Sequence, residues 1–144
     1  MKKFSFRLQN VLELREREEE EKERLLGTAT ARLLSAKGAL AMLEGKREQN
    51  QPGSDDESLV YMSGLYLARL LHEIEQAAQF VQQCEAEVEA AREEYIRAHR
   101  AAESLRKLRQ KKLDEYNKAL EAHEEKFLDE ISTLRYSRDT KESR

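Results

Sequence analysis

Tryptophan is absent and aromatic residues make up only 6% of the chain, so a rounded globular core has little to fill it. Charged residues make up 38% and mean hydropathy is −0.87, which suits a narrow helix-helix seam better than a thick core. The one cysteine, Cys84, cannot form an internal disulfide; this excludes a disulfide scaffold and is consistent with a reducing compartment and a small apolar seam residue. The longest uncharged run, Ser58 to Ala68, falls far short of the roughly 20 apolar residues a membrane span needs. The start, Met1-Lys2-Lys3-Phe4, leads into charges instead of an apolar signal core. A soluble, unexported protein without a membrane span is expected. No Gly-rich phosphate loop, cysteine pair or Ser/His/Asp grouping appears, so no catalytic, cofactor-binding or metal-binding residue is expected, and no enzyme. His72, His99 and His123 are too far apart along a rod to share a metal ion. They read as solvated or seam histidines, with a pH-sensitive contact as their one functional use.

Proline is as scarce as cysteine, and the single Pro52 lies in Gln51-Pro52-Gly53-Ser54, the one turn signal between two long helical patterns. The fold class is therefore all-α, a single antiparallel coiled-coil hairpin over residues 1–144. Helix one is expected at about 4–49, the turn at 50–54, helix two at about 55–135 and a frayed polar tail at 136–144. Apolar residues recur at helical spacing, which argues against disorder despite the polarity.

In the first helix Leu12, Leu26, Leu33 and Leu40 form one line and Leu8, Ala29, Ala36 and Leu43 a second, with a gap at Glu19. Between Arg15 and Arg24 the stripe lapses into charges, where Glu13 to Arg17, Glu18 to Lys22 and Glu20 to Arg24 place opposite signs four apart. Gly27, Gly38 and Gly45 each cost about 1 kcal/mol against alanine, and close approach of the second helix is the expected compensation. Ser54-Asp55-Asp56-Glu57 reads as a capping box opening helix two. From there Leu67, Ile74, Val81, Val88, Tyr95 and Ala102 interleave with Leu70, Ala77, Cys84, Ala91, Ala98 and Leu105 in unbroken steps of three and four. The line then steps to Arg109 and Leu113 before Tyr116, Leu120, Phe127 and Leu134 resume, an insertion of the stutter type.

At 1.5 Å per residue the first helix spans about 70 Å and the second about 120 Å, so the second is longer and overhangs. Folded back, the first helix ends near Ala102. The stripe from Leu113 to Leu134 then has little intramolecular cover, and an exposed apolar stripe implies a partner. Phe4 and Phe6 are the residues that could cover part of it. Beside it Arg106, Lys107, Arg109, Lys111 and Lys112 form a basic collar. The overall charge of −3 and the lack of interleaved aromatic readers argue against nucleic acid; an acidic protein rim fits better.

The opening Phe4-Ser5-Phe6-Arg7-Leu8-Gln9-Asn10-Val11-Leu12-Glu13-Leu14-Arg15-Glu16 strongly resembles the start of the flagellar export protein FliJ family. So do Leu113-Asp114-Glu115-Tyr116 and Glu124-Glu125-Lys126-Phe127-Leu128-Asp129-Glu130-Ile131. The resemblance implies a non-enzymatic cytoplasmic stalk of the flagellar type III export apparatus, peripheral to the membrane at the flagellar base and needed for motility. It would dock in the pore of the hexameric export ATPase, promote its assembly and activity, and link it to the membrane export gate and to export chaperones. The ATPase contact is expected at Phe4, Phe6, Leu8, Leu113, Tyr116, Leu120, Phe127 and Leu134. The gate contact is expected near the turn, at Leu43, Tyr61, Tyr66 and Leu67. The alternatives are the related virulence-type secretion stalk and a generic coiled-coil spacer that homodimerises.

Overall fold

A computed structural model describes residues 2–50 and 55–143. It contains two helices and, among the described residues, no strand: α1 (Gln9–Gln49) and the longer α2 (Glu57–Glu142). The reversal at Pro52 and the cap at Ser54 lie outside the described residues. The chain divides into two compact units, one of Arg17–His99 and one of Met1–Glu16 with Arg100–Arg144.

Within Arg17–His99 the helices pair antiparallel, with Arg32 Nη1 3.3 Å from Glu87, Lys22 Nζ 3.8 Å from Glu94 and Glu19 Oε2 3.2 Å from His99 Nδ1. The seam between them is the heptad stripe. Leu70, Val81, Cys84 and Val88 are buried, and Leu67, Ile74, Ala77, Ala91, Tyr95 and Ala98 are half-buried on the same line. Ala36, Val81 and Cys84 form the core cluster, with Leu33 and Leu40 packed against it. Glu19 takes the position where the leucine line lapses and is half-buried beside His99, whose ring stacks on Tyr95 at 5.9 Å. This polar contact stands where the leucine line of α1 has no apolar residue to offer.

Three local expectations are revised. Arg24 takes Glu21, three residues back, at 2.6 Å, instead of Glu20. The hydrogen bond and charge of Arg24 lower the Glu21 pKa, and Glu21 in turn raises that of Arg24. Lys22 turns across to Glu94 instead of back to Glu18. The glycines of α1 mark no close approach, because a Cβ built at Gly27, Gly38 or Gly45 meets nothing within 4 Å. The start of α2 also shifts: the helix begins at Glu57, and its cap is Asp56, whose Oδ1 accepts the Ser58 N–H at 3.0 Å. Glu57 is thus the first helical residue, too early to serve as the acid of a capping box.

In the other unit α1 begins at Gln9 and not at Phe4. Leu12 and Ala102 are buried, and Glu16 lies 3.5 Å from Arg106 Nε, again antiparallel. Leu105, Arg109, Leu113, Tyr116 and Leu120 are all half-buried, so the stripe takes two successive steps of four, Leu105 to Arg109 to Leu113, as a stutter requires, before the alternation resumes. The expected frayed tail is helix instead: α2 continues through Tyr136 to Glu142, with the Thr140 hydroxyl donating to the Tyr136 carbonyl and Ser143 N–H to Asp139 O at 3.1 Å. After Gly64 the sequence contains no glycine or proline to stop it.

Candidate docking surfaces

Residues 2–8 form a non-helical strap laid along α2. Extended chain advances more than twice as far per residue as a helix, roughly 3.3 Å against 1.5 Å. A few residues therefore carry the cover well past the first turn of α1. The Phe4 ring packs against Tyr116, centroids 5.6 Å apart at 51°, with the Arg109 guanidinium 5.6 Å from its centroid. The Tyr116 hydroxyl donates to the Lys2 carbonyl at 2.6 Å, and Arg109 Nε donates to Gln9 Oε1 at 3.1 Å. Phe4, Phe6 and Leu8 are half-buried while Lys3, Ser5 and Arg7 are exposed. That alternation of two is the signal of an extended segment, legible in Phe4-Ser5-Phe6-Arg7-Leu8 and passed over in favour of a helix. With Leu108 and Lys112 these side chains line a shallow hollow.

The strap corrects the expected extent of the bare stripe. Leu113 and Tyr116 are half-buried in its vicinity, as is Leu120; the exposed stretch lies further on, where Phe127 is 57%, Leu128 61%, Leu134 70% and Tyr136 76% exposed. The expected ATPase-contact set therefore divides. Phe4 and Tyr116 belong to an intramolecular contact, Phe6 and Leu8 line the hollow beside it, and Leu113 and Leu120 are half-buried, whereas Phe127 and Leu134 face solvent. Leu128 and Tyr136, absent from the expected set, join them. Replacing Phe4 by alanine is expected to release the strap at a cost of about 1–2 kcal/mol. Hydrogen exchange at residues 2–8 should then accelerate while helicity is unchanged; unaltered exchange there would contradict the strap.

The basic collar divides too. Arg106 pairs with Glu16 and Glu103, and Arg109 serves the strap. Lys112 lies 3.7 Å from Glu115, and Lys107 and Lys111 are exposed beside Asp114 and Lys118. Two of the five cations are thus structural braces, and the outward charge is carried by lysines. Near the start of α2, Leu43 and Leu67 are half-buried seam residues, whereas Tyr61 and Tyr66 are 69% and 48% exposed. They stand among exposed Leu59, Val60, Met62 and Leu65, a patch wider than the residues singled out from sequence. His72 bonds Gln76 at 3.1 Å on the surface, and His123 is exposed.

Among the described residues no helix is long and apolar enough to cross a membrane. Comparison with curated proteins and with solved structures gave no match. A family model did match: it covers residues 4–141, both helices and the strap, and carries the description flagellar FliJ protein. A match over nearly the whole chain, joined to a two-helix fold with a longer second helix, means that this chain belongs to the FliJ family and is a protein of the flagellar export apparatus.

Proposed function

We propose that this chain is the cytoplasmic stalk of the flagellar type III export machinery, without enzymatic activity of its own. Its distal α2 docks on the hexameric export ATPase and promotes ring assembly and hydrolysis. The observation that carries this reading is the exposed apolar stretch Phe127, Leu128, Leu134 and Tyr136, on a helix that continues beyond its own strap. Of these, Phe127 and Leu134, seven residues apart, share one helix face that suits a groove or a pore lined by apolar side chains, and Leu128 and Tyr136 add apolar bulk on its other sides. Lys107, Lys111 and Lys112 orient the approach to an acidic rim, acting on encounter rate more than on affinity. The exposed Tyr61 and Tyr66 patch is the contact for the membrane export gate, and export chaperones bind the same chain. The protein then works at the cytoplasmic face of the membrane without entering it.

The test is ATP hydrolysis and ring assembly by the cognate export ATPase across a range of stalk ratios. Stimulation saturating near one stalk per hexamer is expected. A fully helical chain that neither binds nor stimulates would sink the proposal.

A further inference from the structure

The exposed stretch of α2 beyond the strap has a charge order that its apolar face alone does not explain. From Glu121 to Glu130 acids dominate: Glu121, Glu124, Glu125, Asp129 and Glu130 stand against one base, Lys126. From Ser132 to Lys141 the sign reverses, with Arg135, Arg138 and Lys141 against Asp139. Ile131 lies between the two halves and is half-buried by its own neighbours. The apolar and basic positions Phe127, Ile131, Leu134, Arg138 and Lys141 continue the alternation of four and three.

From this order we infer that the distal stretch of α2 pairs antiparallel with the same stretch of a second copy, about a two-fold axis at Ile131. With that axis Ile131 meets its own counterpart, and Leu128 of each copy meets Leu134 of the other. Glu124 then faces Arg138, Glu121 faces Lys141 and His123 faces Asp139, each contact made twice by symmetry. A parallel pair in register would set Arg138 against Arg138 and Glu124 against Glu124, so charge selects the antiparallel orientation. The paired stretch begins at Glu121, beyond Tyr116 and the strap, so a second copy displaces nothing that the chain already holds. The few apolar layers make this a weak, exchanging dimer at the small end of specific interfaces. By the same axis Phe127 faces Arg135, whose guanidinium can lie over its ring. Leu128 and Leu134 are also residues offered to the ATPase, so self-pairing covers them in free protein and must open before docking. The self-pairing itself does not depend on the ATPase reading.

Sedimentation equilibrium of the full-length chain should show a concentration-dependent dimer. Glu124→Arg places like charges together twice and is expected to weaken association roughly tenfold. Arg138→Glu should do the same, and the double variant, which only exchanges the two signs, should restore it. Orientation is read by disulfide trapping: Ile131→Cys should cross-link rapidly on oxidation and Leu120→Cys should not. The unchanged chain, whose only thiol is the buried Cys84, is the control. Glu124 and Arg138 are exposed and Ile131 and Leu120 half-buried on α2, so the fold is expected to stay intact, which circular dichroism verifies. A monomer at every concentration overturns the inference. So does a Leu120→Cys chain that cross-links as readily as Ile131→Cys, or a double variant as weak as the single ones.

Discussion

Replacing Cys84 by glutamate is expected to unfold the Arg17–His99 unit at temperatures where the parent chain is fully helical. Cys84 is 1% exposed, in the cluster with Ala36 and Val81 and against Leu33 and Leu40. A carboxylate there has no cation to meet among those four apolar neighbours, and an unpaired buried charge costs on the order of 3–5 kcal/mol. That is a large part of what a helical pair this thin can hold. The sign of the pH dependence is fixed by the same argument. Burial raises the carboxyl pKa in the folded state above the unfolded value of about 4.3. The penalty is therefore smallest below that value, where the group is neutral in both states, and grows as pH rises through it toward the folded pKa. Thermal melts should show the largest loss near neutrality and partial recovery in acid. Glu85→Ala, one residue along on the exposed face, should melt like the parent. Equal melting of parent and Cys84→Glu would mean that Cys84 does not face α1.

The seam was legible because one period generates all of it. Each position from Leu67 to Leu105 in the alternation of three and four is buried or half-buried, and the stutter through Arg109 and Leu113 keeps the line inward. Features that depend on a distant partner were not legible. Glu19 breaks the leucine line, and only the fold brings His99 to it, 80 residues away. Arg106 and Arg109 belong to a basic run in sequence, yet Glu16, Gln9 and the Phe4 ring take them out of the outward charge. The strap is hidden in the sequence for another reason. Phe4 and Phe6 fit the start of a helix by composition, and their period of two was outweighed by the long helical pattern that follows. The last turns of α2 are polar enough to suggest a tail, but polarity alone does not end a helix.

Ending the chain after Ala122 is expected to abolish stimulation of the export ATPase while leaving both helix pairings in place. The cut removes Phe127, Leu128, Leu134 and Tyr136, the exposed apolar residues of distal α2. It keeps Tyr116 and Arg109, so the strap retains its ring contact, its hydroxyl bond to Lys2 and its bond from Arg109 to Gln9. It also leaves Leu12 and Ala102 buried against their neighbours. Loss of a cluster of large apolar anchors commonly removes most of a docking energy, so apparent affinity for the ATPase should fall at least about tenfold and in practice beyond detection. Helicity per remaining residue should be unchanged, which separates lost docking from lost folding. A matched variant carrying Tyr61→Ala and Tyr66→Ala is expected to stimulate the ATPase normally and to lose binding to the cytoplasmic part of the export gate. The two variants thus assign separate partners to separate surfaces. If the shortened chain stimulates as well as the parent, the distal stripe is not the ATPase contact, and the strap hollow around Phe6, Leu8 and Leu108 becomes the surface to alter next.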